Sequence, residues 1–320
     1  MGHPPHPIQY SLVTSTGTIK NPLQTADPLS VGDLYLDARL AALRAAQNPD
    51  GGWGYFPGKQ SWLEPTFYAT LALHGEPAAD RAWALVSSWQ THDGYWRPSA
   101  DVEIKHWSTA LGVTLATVRN ATGAPLRKAV EYLLSVAGAE ESSLLTRAVA
   151  KIGMLETERN FSLKGWPWKP GTSSWVEPTA HTLVALKKAS AVLSAPDVSA
   201  RVRSGEAQLL DVRGRDGGWN YGSRSALGID LPTYPETTAL ALLGLQSHAG
   251  LSPSLDIATR MLRETSSPMA RAWLTIALRL HAIEIPGLPD VTPSSDILIT
   301  ALEALGSGEN YRFLKTGVVA

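Results

Sequence analysis

Four loops of one design punctuate the chain, and they decide what it can fold into. The first carries Gln47, Asp50, Gly51, Gly52, Trp53 and Tyr55 and leads to Trp62, Glu64, Pro65 and Thr66. The second carries Gln90, Asp93, Gly94 and Trp96 and leads to His106, Trp107, Ser108, Thr109 and Ala110. The third, Gly165, Trp166 and Trp168, leads to Trp175, Glu177, Pro178, Thr179 and Ala180. The fourth, Asp216, Gly217, Gly218, Trp219 and Tyr221, leads to Tyr234, Pro235, Glu236, Thr237, Thr238 and Ala239. Each second part opens an apolar helical run, such as Thr70–Leu73 or Leu240–Leu243. The unit is an outer helix, a Gly-Trp loop and an inner helix, repeated about six times. One such hairpin cannot bury its own apolar face, so the hairpins must stack, as an open superhelix or a closed ring.

The helices between the loops follow from spacing. Ser30 is placed to cap the first, with Asp33 three residues on, and Leu36, Leu40 and Leu43 form its apolar stripe. Further outer helices are expected over 78–89, 126–136 and 200–211, and inner helices over 65–74, 109–119, 178–191 and 236–248. Hairpins without the Trp loop are expected over 126–154 and 253–282, and a last helix over 294–305. No alternating strand pattern competes. Residues 1–29, with five prolines, form an irregular arm, and 30–320 form the helical domain.

Composition removes several functions. Net charge is −1 and no basic run tracks a nucleic-acid backbone. No apolar stretch approaches the ~18 residues of a membrane span. There is no cysteine, which excludes disulfides and thiolate metal ligands and, with no signal peptide at the N-terminus, fits a cytoplasmic protein. No His-Glu or His-Asp spacing marks a metal site. The eleven tryptophans stand out, because eight of them (Trp53, Trp62, Trp96, Trp107, Trp166, Trp168, Trp175 and Trp219) lie in or beside the Gly- and Pro-rich loops. The loops are therefore packed structures.

A loop of the form Gln-x-x-x-Gly-x-Trp resembles the repeat signature of squalene-hopene and oxidosqualene cyclases. Gln47, Gly51 and Trp53 match it, as do Gln90, Gly94 and Trp96; Asp216–Trp219 matches in part, with Arg213 in the place of Gln, and Gly165–Trp168 more weakly. The resemblance covers residues 30–285 and extends to protein prenyltransferase β subunits. It implies an all-α fold, an α/α toroid (α6-α6 barrel), and an enzyme of the class II terpene cyclase type, an isomerase or lyase that closes rings in a linear isoprenoid after protonating it. Prenyltransferase zinc chemistry uses a cysteine and is not expected. The Gln amide is expected to satisfy helix-terminal backbone groups while stacking on the Trp ring.

Glu64, Glu177 and Glu236 stand at equivalent entrances to inner helices, with Trp107 in that place in the second repeat. Pro65 and Pro178 suit the first helical position, which would make Glu64 and Glu177 cap residues. Glutamate is not a favoured cap, so the carboxyls are expected to line a shared mouth. In the cyclase motif Asp-x-Asp-Asp-Thr-Ala the middle acid is the proton donor, and Glu236 falls on it; Tyr234 and Thr237 replace the other acids. The resemblance thus makes Glu236 the catalytic acid, with Glu64 and Glu177 tuning it or removing the final proton. Tyr234, Trp107, Trp62, Trp175, Phe67 and Tyr68 would give the cavity aromatic walls that stabilise cations. His106 and His181 lie near inner-helix starts as further binding candidates, and Asp230 reads as a turn former.

The expected ligand is an apolar, isoprenoid-like small molecule. No cofactor is required, with Mg²⁺ needed only for a diphosphate substrate. A single toroid leaves three options: its own central hole, a wall lent by a homodimer or partner chain over the open face, or no cyclase activity. Two further readings remain, a non-catalytic toroid that holds an apolar or prenylated ligand, and a polar, sugar-like substrate handled by paired glutamates.

Overall fold

The computed structural model describes residues 31–140, 160–194, 197–226, 229–285 and 292–317. Eleven α-helices account for most of them: α1 (Val31–Ala46), α2 (Leu63–Ala72), α3 (Pro77–Ser88), α4 (Thr109–Val118), α5 (Ala124–Ser135), α6 (Val176–Ser190), α7 (Val198–Asp211), α8 (Pro235–Gly244), α9 (Ser252–Glu264), α10 (Pro268–Leu280) and α11 (Ile297–Ser307). The expected arm, the cap at Ser30 and the second half of the 126–154 hairpin lie outside the described residues.

Helices α2, α4, α6, α8, α10 and α11 pack side by side in that order, and α11 returns to α2, so the stack is a closed ring. Around them lie α1, α3, α5, α7 and α9. The two layers differ in sequence as their burial requires. Nearly every residue of α2 and of α4 is buried, and both are built from small and apolar side chains. By contrast α3 buries one stripe, Ala78, Ala79, Ala82 and Val86, and α5 buries Leu126, Ala129, Val130 and Leu133, the spacing of an amphipathic helix.

The tryptophan loops lock the layers together. Each Trp indole donates to a carbonyl near the end of the preceding outer helix: Trp53 to Leu43 at 2.8 Å, Trp96 to Val86 at 3.0 Å, Trp166 to Leu133 at 2.8 Å and Trp219 to Leu209 at 2.7 Å. Each Trp backbone N–H donates to a threonine hydroxyl in the first turn of the following inner helix: Thr66, Thr109, Thr179 and Thr238, at 2.9–3.0 Å. Gln47 spans from Gly51 O to Ala78 O of the next outer helix, and Gln90 spans from Gly94 O to Pro125 O. The glutamine thus ties one repeat to the next. In the third loop Arg201 does this work: it bonds to Gly165 O and Val136 O and lies 3.5 Å over the Trp166 ring.

The carbonyl two residues beyond each Trp closes the circle. Pro98 O accepts from Leu63 N, Trp168 O from Trp107 N, Tyr221 O from Val176 N and Tyr55 O from Ile297 N. Each loop therefore caps the N-terminus of the preceding inner helix, and the last bond joins the first loop to α11. This also brings the inner-helix N-termini to one end of the ring. The other end is covered by the C-terminal segment. A 3₁₀ turn (Asn310–Leu314) bonds through Asn310 to Leu71 O and Ala72 O, and Gln246 binds Leu314 O and Thr316 N.

One short element was not expected. Strands β1 (Ser225–Ala226) and β2 (Ile229–Asp230) pair antiparallel in the fourth loop. They occupy the insertion that lengthens the Trp-to-Thr spacing from 13 residues in the other loops to 19. Asp230 sits there in an exposed ion pair with Arg215 at 3.5 Å.

Candidate active site at the mouth of the toroid

The helix starts correct one expectation. α2 and α6 begin before their prolines, at Leu63 and Val176, so Trp62 and Trp175 are the caps, and Tyr234 caps α8. The caps are extended because their N–H groups donate back to Trp53 O, Trp166 O and Trp219 O. Glu64, Glu177 and Glu236 are each second in their helices, where the carboxyl is free of capping and able to turn inward.

Helical spacing then stacks the site. Tyr68 lies four residues after Glu64, and His181 four after Glu177, so each pair shares a helix face one turn apart. Tyr68, His181 and Trp273 come from alternate inner helices and meet across the ring. The Tyr68 hydroxyl is 3.3 Å from His181 Nε2, the Tyr68 and Trp273 rings meet edge-on at 5.4 Å, and His181 lies 5.8 Å from Trp273. Trp107 stacks on His181 at 5.1 Å. All four are buried. They meet across the ring as an aromatic floor, which bears on the option that the toroid uses its own central hole. Phe67 packs edge-on against Tyr68 at 4.7 Å and is fully buried, so it supports the floor.

Above the floor, Glu64 and Glu177 face one another electrostatically. Burial pushes the Glu177 carboxyl up to about 8, and the Glu64 charge adds to the shift. Burial also raises Glu64; the Tyr55 hydrogen bond opposes the rise and the Asp296 charge adds to it. The Tyr55 hydroxyl donates to Glu64 Oε2 at 2.5 Å. Trp62 lies beside Tyr55 at 6.4 Å. Burial drives His181 down to about 3 and His106 down to about 4, so both rings are neutral near pH 7. His106 packs on Trp107 and Trp168 and accepts from Ser108 N.

The remaining candidates form a separate group. Glu236, on α8 across the ring from α2 and Glu64, accepts from Ser267 Oγ at 3.3 Å. Trp175, Tyr221 and Tyr234 make a row of rings spaced 6.5 and 5.2 Å apart. They are exposed by 38, 49 and 36 %, so the mouth is open to solvent on this side. Among the described residues no group of three or more His, Cys, Asp or Glu is arranged to hold a metal.

Sequence reasoning missed Tyr55, Tyr221, Trp273 and Asp296. The first two had a signal: both stand two residues after a loop Trp, as does Trp168. Asp296 is the cap of α11 and accepts from Ile299 N at 3.2 Å, at the head of a helix that lacks a Trp loop. Trp273 is visible only once the ring order is known.

The ring of helices is shared with solved structures. The chain has a terpenoid-cyclase-like fold. The type II terpene cyclase MstE from Scytonema is 19% identical, with a TM-score of 0.51 over 86% of this chain and 77% of that one. A wild-type glycosidase is 11% identical, with a TM-score of 0.52 over 88% of this chain and 97% of that one. The sequence matches no family model and no curated protein. At these identities the terpenoid-cyclase-like toroid is a shared fold, and it hosts enzymes of more than one chemistry. Among the described residues no helix is long and apolar enough to cross a membrane.

Proposed function

We propose that this protein is a class II terpene cyclase-like enzyme that works by general-acid catalysis at the toroid mouth. Glu177 delivers a proton to a neutral, linear isoprenoid, and Glu64 removes the final proton. The observation that carries the reading is the place of Glu177, one helical turn from the Trp107–His181 stack, where burial and the Glu64 charge push its carboxyl up to about 8. Glu236, the donor implied by the resemblance, has no such partner.

The acidity limits the substrate. A carboxyl that titrates near 8 is well matched to protonating an oxygen near neutral pH. It is too weak to protonate an unactivated alkene. The reacting group is therefore an epoxide or hydroxyl oxygen, whose protonation opens a C–O bond and starts ring closure. Trp107 and Trp62 offer ring faces to the cation. The charges that act on Glu64 and Glu177 are acids, which disfavours a diphosphate in the mouth and removes the need for Mg²⁺.

A second reading is favoured by the exposed row of Trp175, Tyr221 and Tyr234. An open mouth admits water, and a protonated carboxyl beside a second one is the arrangement that hydrolyses glycosides. The toroid it shares with a glycosidase supports this. One mass-spectrometric experiment separates the two. The full chain is incubated with linear isoprenoid alcohols, terminal epoxides and diphosphates, with and without Mg²⁺, and with a panel of aryl glycosides. Cyclised product from an epoxide or alcohol, lost in Glu177→Gln and kept in Glu236→Gln, is expected. Aglycone release alone would transfer the site to the second reading. Full turnover in Glu177→Gln would overturn both.

A further inference from the structure

We infer that Tyr55 and Asp296 are positioning residues that decide which of the two mouth glutamates carries the shared proton. This rests on the general-acid reading of Glu177 for its purpose, although its test does not.

The geometry is a clamp on one side of Glu64. The Ile297 N–H donates to Tyr55 O at 2.8 Å, so the backbone beside Asp296 is tied to the residue whose phenol reaches Glu64. The Tyr55 hydroxyl donates to Glu64 Oε2 at 2.5 Å, a short bond of the kind made to an ionised acceptor. Asp296 is held in turn by Ile299 N, to Oδ1, and its own N–H donates to Ser294 Oγ. The groups that face Glu64 come from every side: Tyr55 from the first loop, Asp296 from α11, Glu177 from α6, and Tyr68 from one turn below on α2. The segment that leads into α4 presents the uncharged Trp107, and burial keeps His181 neutral near pH 7.

The two clamp residues act in opposite directions. The phenol favours the Glu64 carboxylate, and an ionised Glu64 keeps the proton on Glu177. Asp296 disfavours the same carboxylate and limits the bias. With Tyr55 alone Glu64 would lose its proton too readily to take part in the exchange; with Asp296 alone the proton would be shared between both glutamates. Neither residue needs to touch substrate. Sequence gives no hint of the pair, because 241 residues separate Tyr55 from Asp296.

The test needs no substrate. The full chain is labelled with ¹³C at the glutamate side-chain carboxyl and titrated from pH 4 to 10 by NMR, with Glu64→Gln and Glu177→Gln assigning the two signals. Tyr55→Phe should raise the Glu64 midpoint by about one unit, and Asp296→Asn should lower it by a similar amount. The Glu177 midpoint should fall in Tyr55→Phe, where Glu64 stays neutral longer. A merely structural role for either residue would move both variants the same way or neither. Either of those outcomes, in variants whose circular dichroism matches the parent, overturns the assignment. Shifts as expected without turnover on any substrate would leave this inference standing and remove the enzyme reading. Turnover that depends on Glu177 with no opposed shifts would do the reverse.

Discussion

Replacing Glu177 by Gln should make the protein more stable at alkaline pH while removing its acid. In the fold Glu177 keeps its proton to about pH 8, against 4.5 for an unburied glutamate. The folded chain therefore binds more protons than the unfolded one across that window. The Glu177 contribution to stability falls as pH rises from 4.5 through 8. At ~1.4 kcal/mol per unit the span amounts to about 5 kcal/mol. Coupling to Glu64 shares the proton over two sites, so about 3–5 kcal/mol is the expected loss. His181 and His106 act in the opposite sense. Their pKa values are depressed to about 3 and about 4, so the stability they contribute is present above pH 6.5 and lost as pH falls. Wild-type stability should peak near pH 6. Urea unfolding of both proteins from pH 5 to pH 9 measures this. Glu177→Gln should follow the wild type below pH 5 and exceed it by at least ~2 kcal/mol at pH 9. Parallel curves for the two proteins would show that Glu177 is ionised or solvated in the fold, and the general-acid reading would lose its basis.

Two further changes test the loop architecture. The Thr66 hydroxyl accepts from Trp53 N at 2.9 Å and donates to Trp53 O at 3.1 Å, so Thr66→Val strands a buried N–H and should cost about 2–3 kcal/mol in urea unfolding, with Thr66→Ser costing much less. Gly94 sits at φ +93°, and a Cβ there would lie 2.6 Å from the Lys128 carbonyl. Gly94→Ala should therefore cost ~3 kcal/mol or more, exceeding Gly123→Ala, where the Cβ meets open space and only the backbone strain at φ +106° and ψ −159°, about 1–3 kcal/mol, remains.

The fold was legible because the repeat is local. Gln47, Gly51 and Trp53 recur with the same spacing as Gln90, Gly94 and Trp96, and the bonds they make run to the neighbouring helix or the next repeat. Closure of the ring was implied by the family resemblance and not by the repeat itself, which fits an open superhelix equally, because closure depends on α11 meeting α2 across most of the chain. The site divides along the same line. Glu64 and Glu177 were visible as equivalent residues ahead of Pro65 and Pro178. That the Glu64 charge acts on Glu177 while Glu236 accepts from Ser267 depends on ring order. Alignment by the Thr-Ala end of the family motif points to Glu236, because sequence carries the position of a carboxyl; its surroundings, here Ser267, come only with the ring. The paired strands Ser225–Ala226 and Ile229–Asp230 escaped because strands of two residues leave no alternation to read.

The aromatic floor sets the depth of the mouth, and a single substitution tests whether it is one packed column. Trp273 is buried and touches Tyr68 and His181 from α10. Trp273→Ala should cost about 3–5 kcal/mol, the range for emptying a large aromatic site that cannot collapse. The ring is rigid where it would have to close, since each inner helix is held by a Trp loop or by the C-terminal segment, so the space should persist. An apolar cavity of this kind stays dry and takes an apolar guest. Indole should then raise the melting temperature of Trp273→Ala and leave the wild type unchanged. It should also deepen the mouth by about one helical turn, ~5 Å, enough for a chain one isoprene unit longer. Equal responses of the two proteins to indole would mean that Tyr68 and His181 fall into the gap. The floor would then be a yielding filler, and the depth of the site would be set by the rim residues Trp175, Tyr221 and Tyr234 instead.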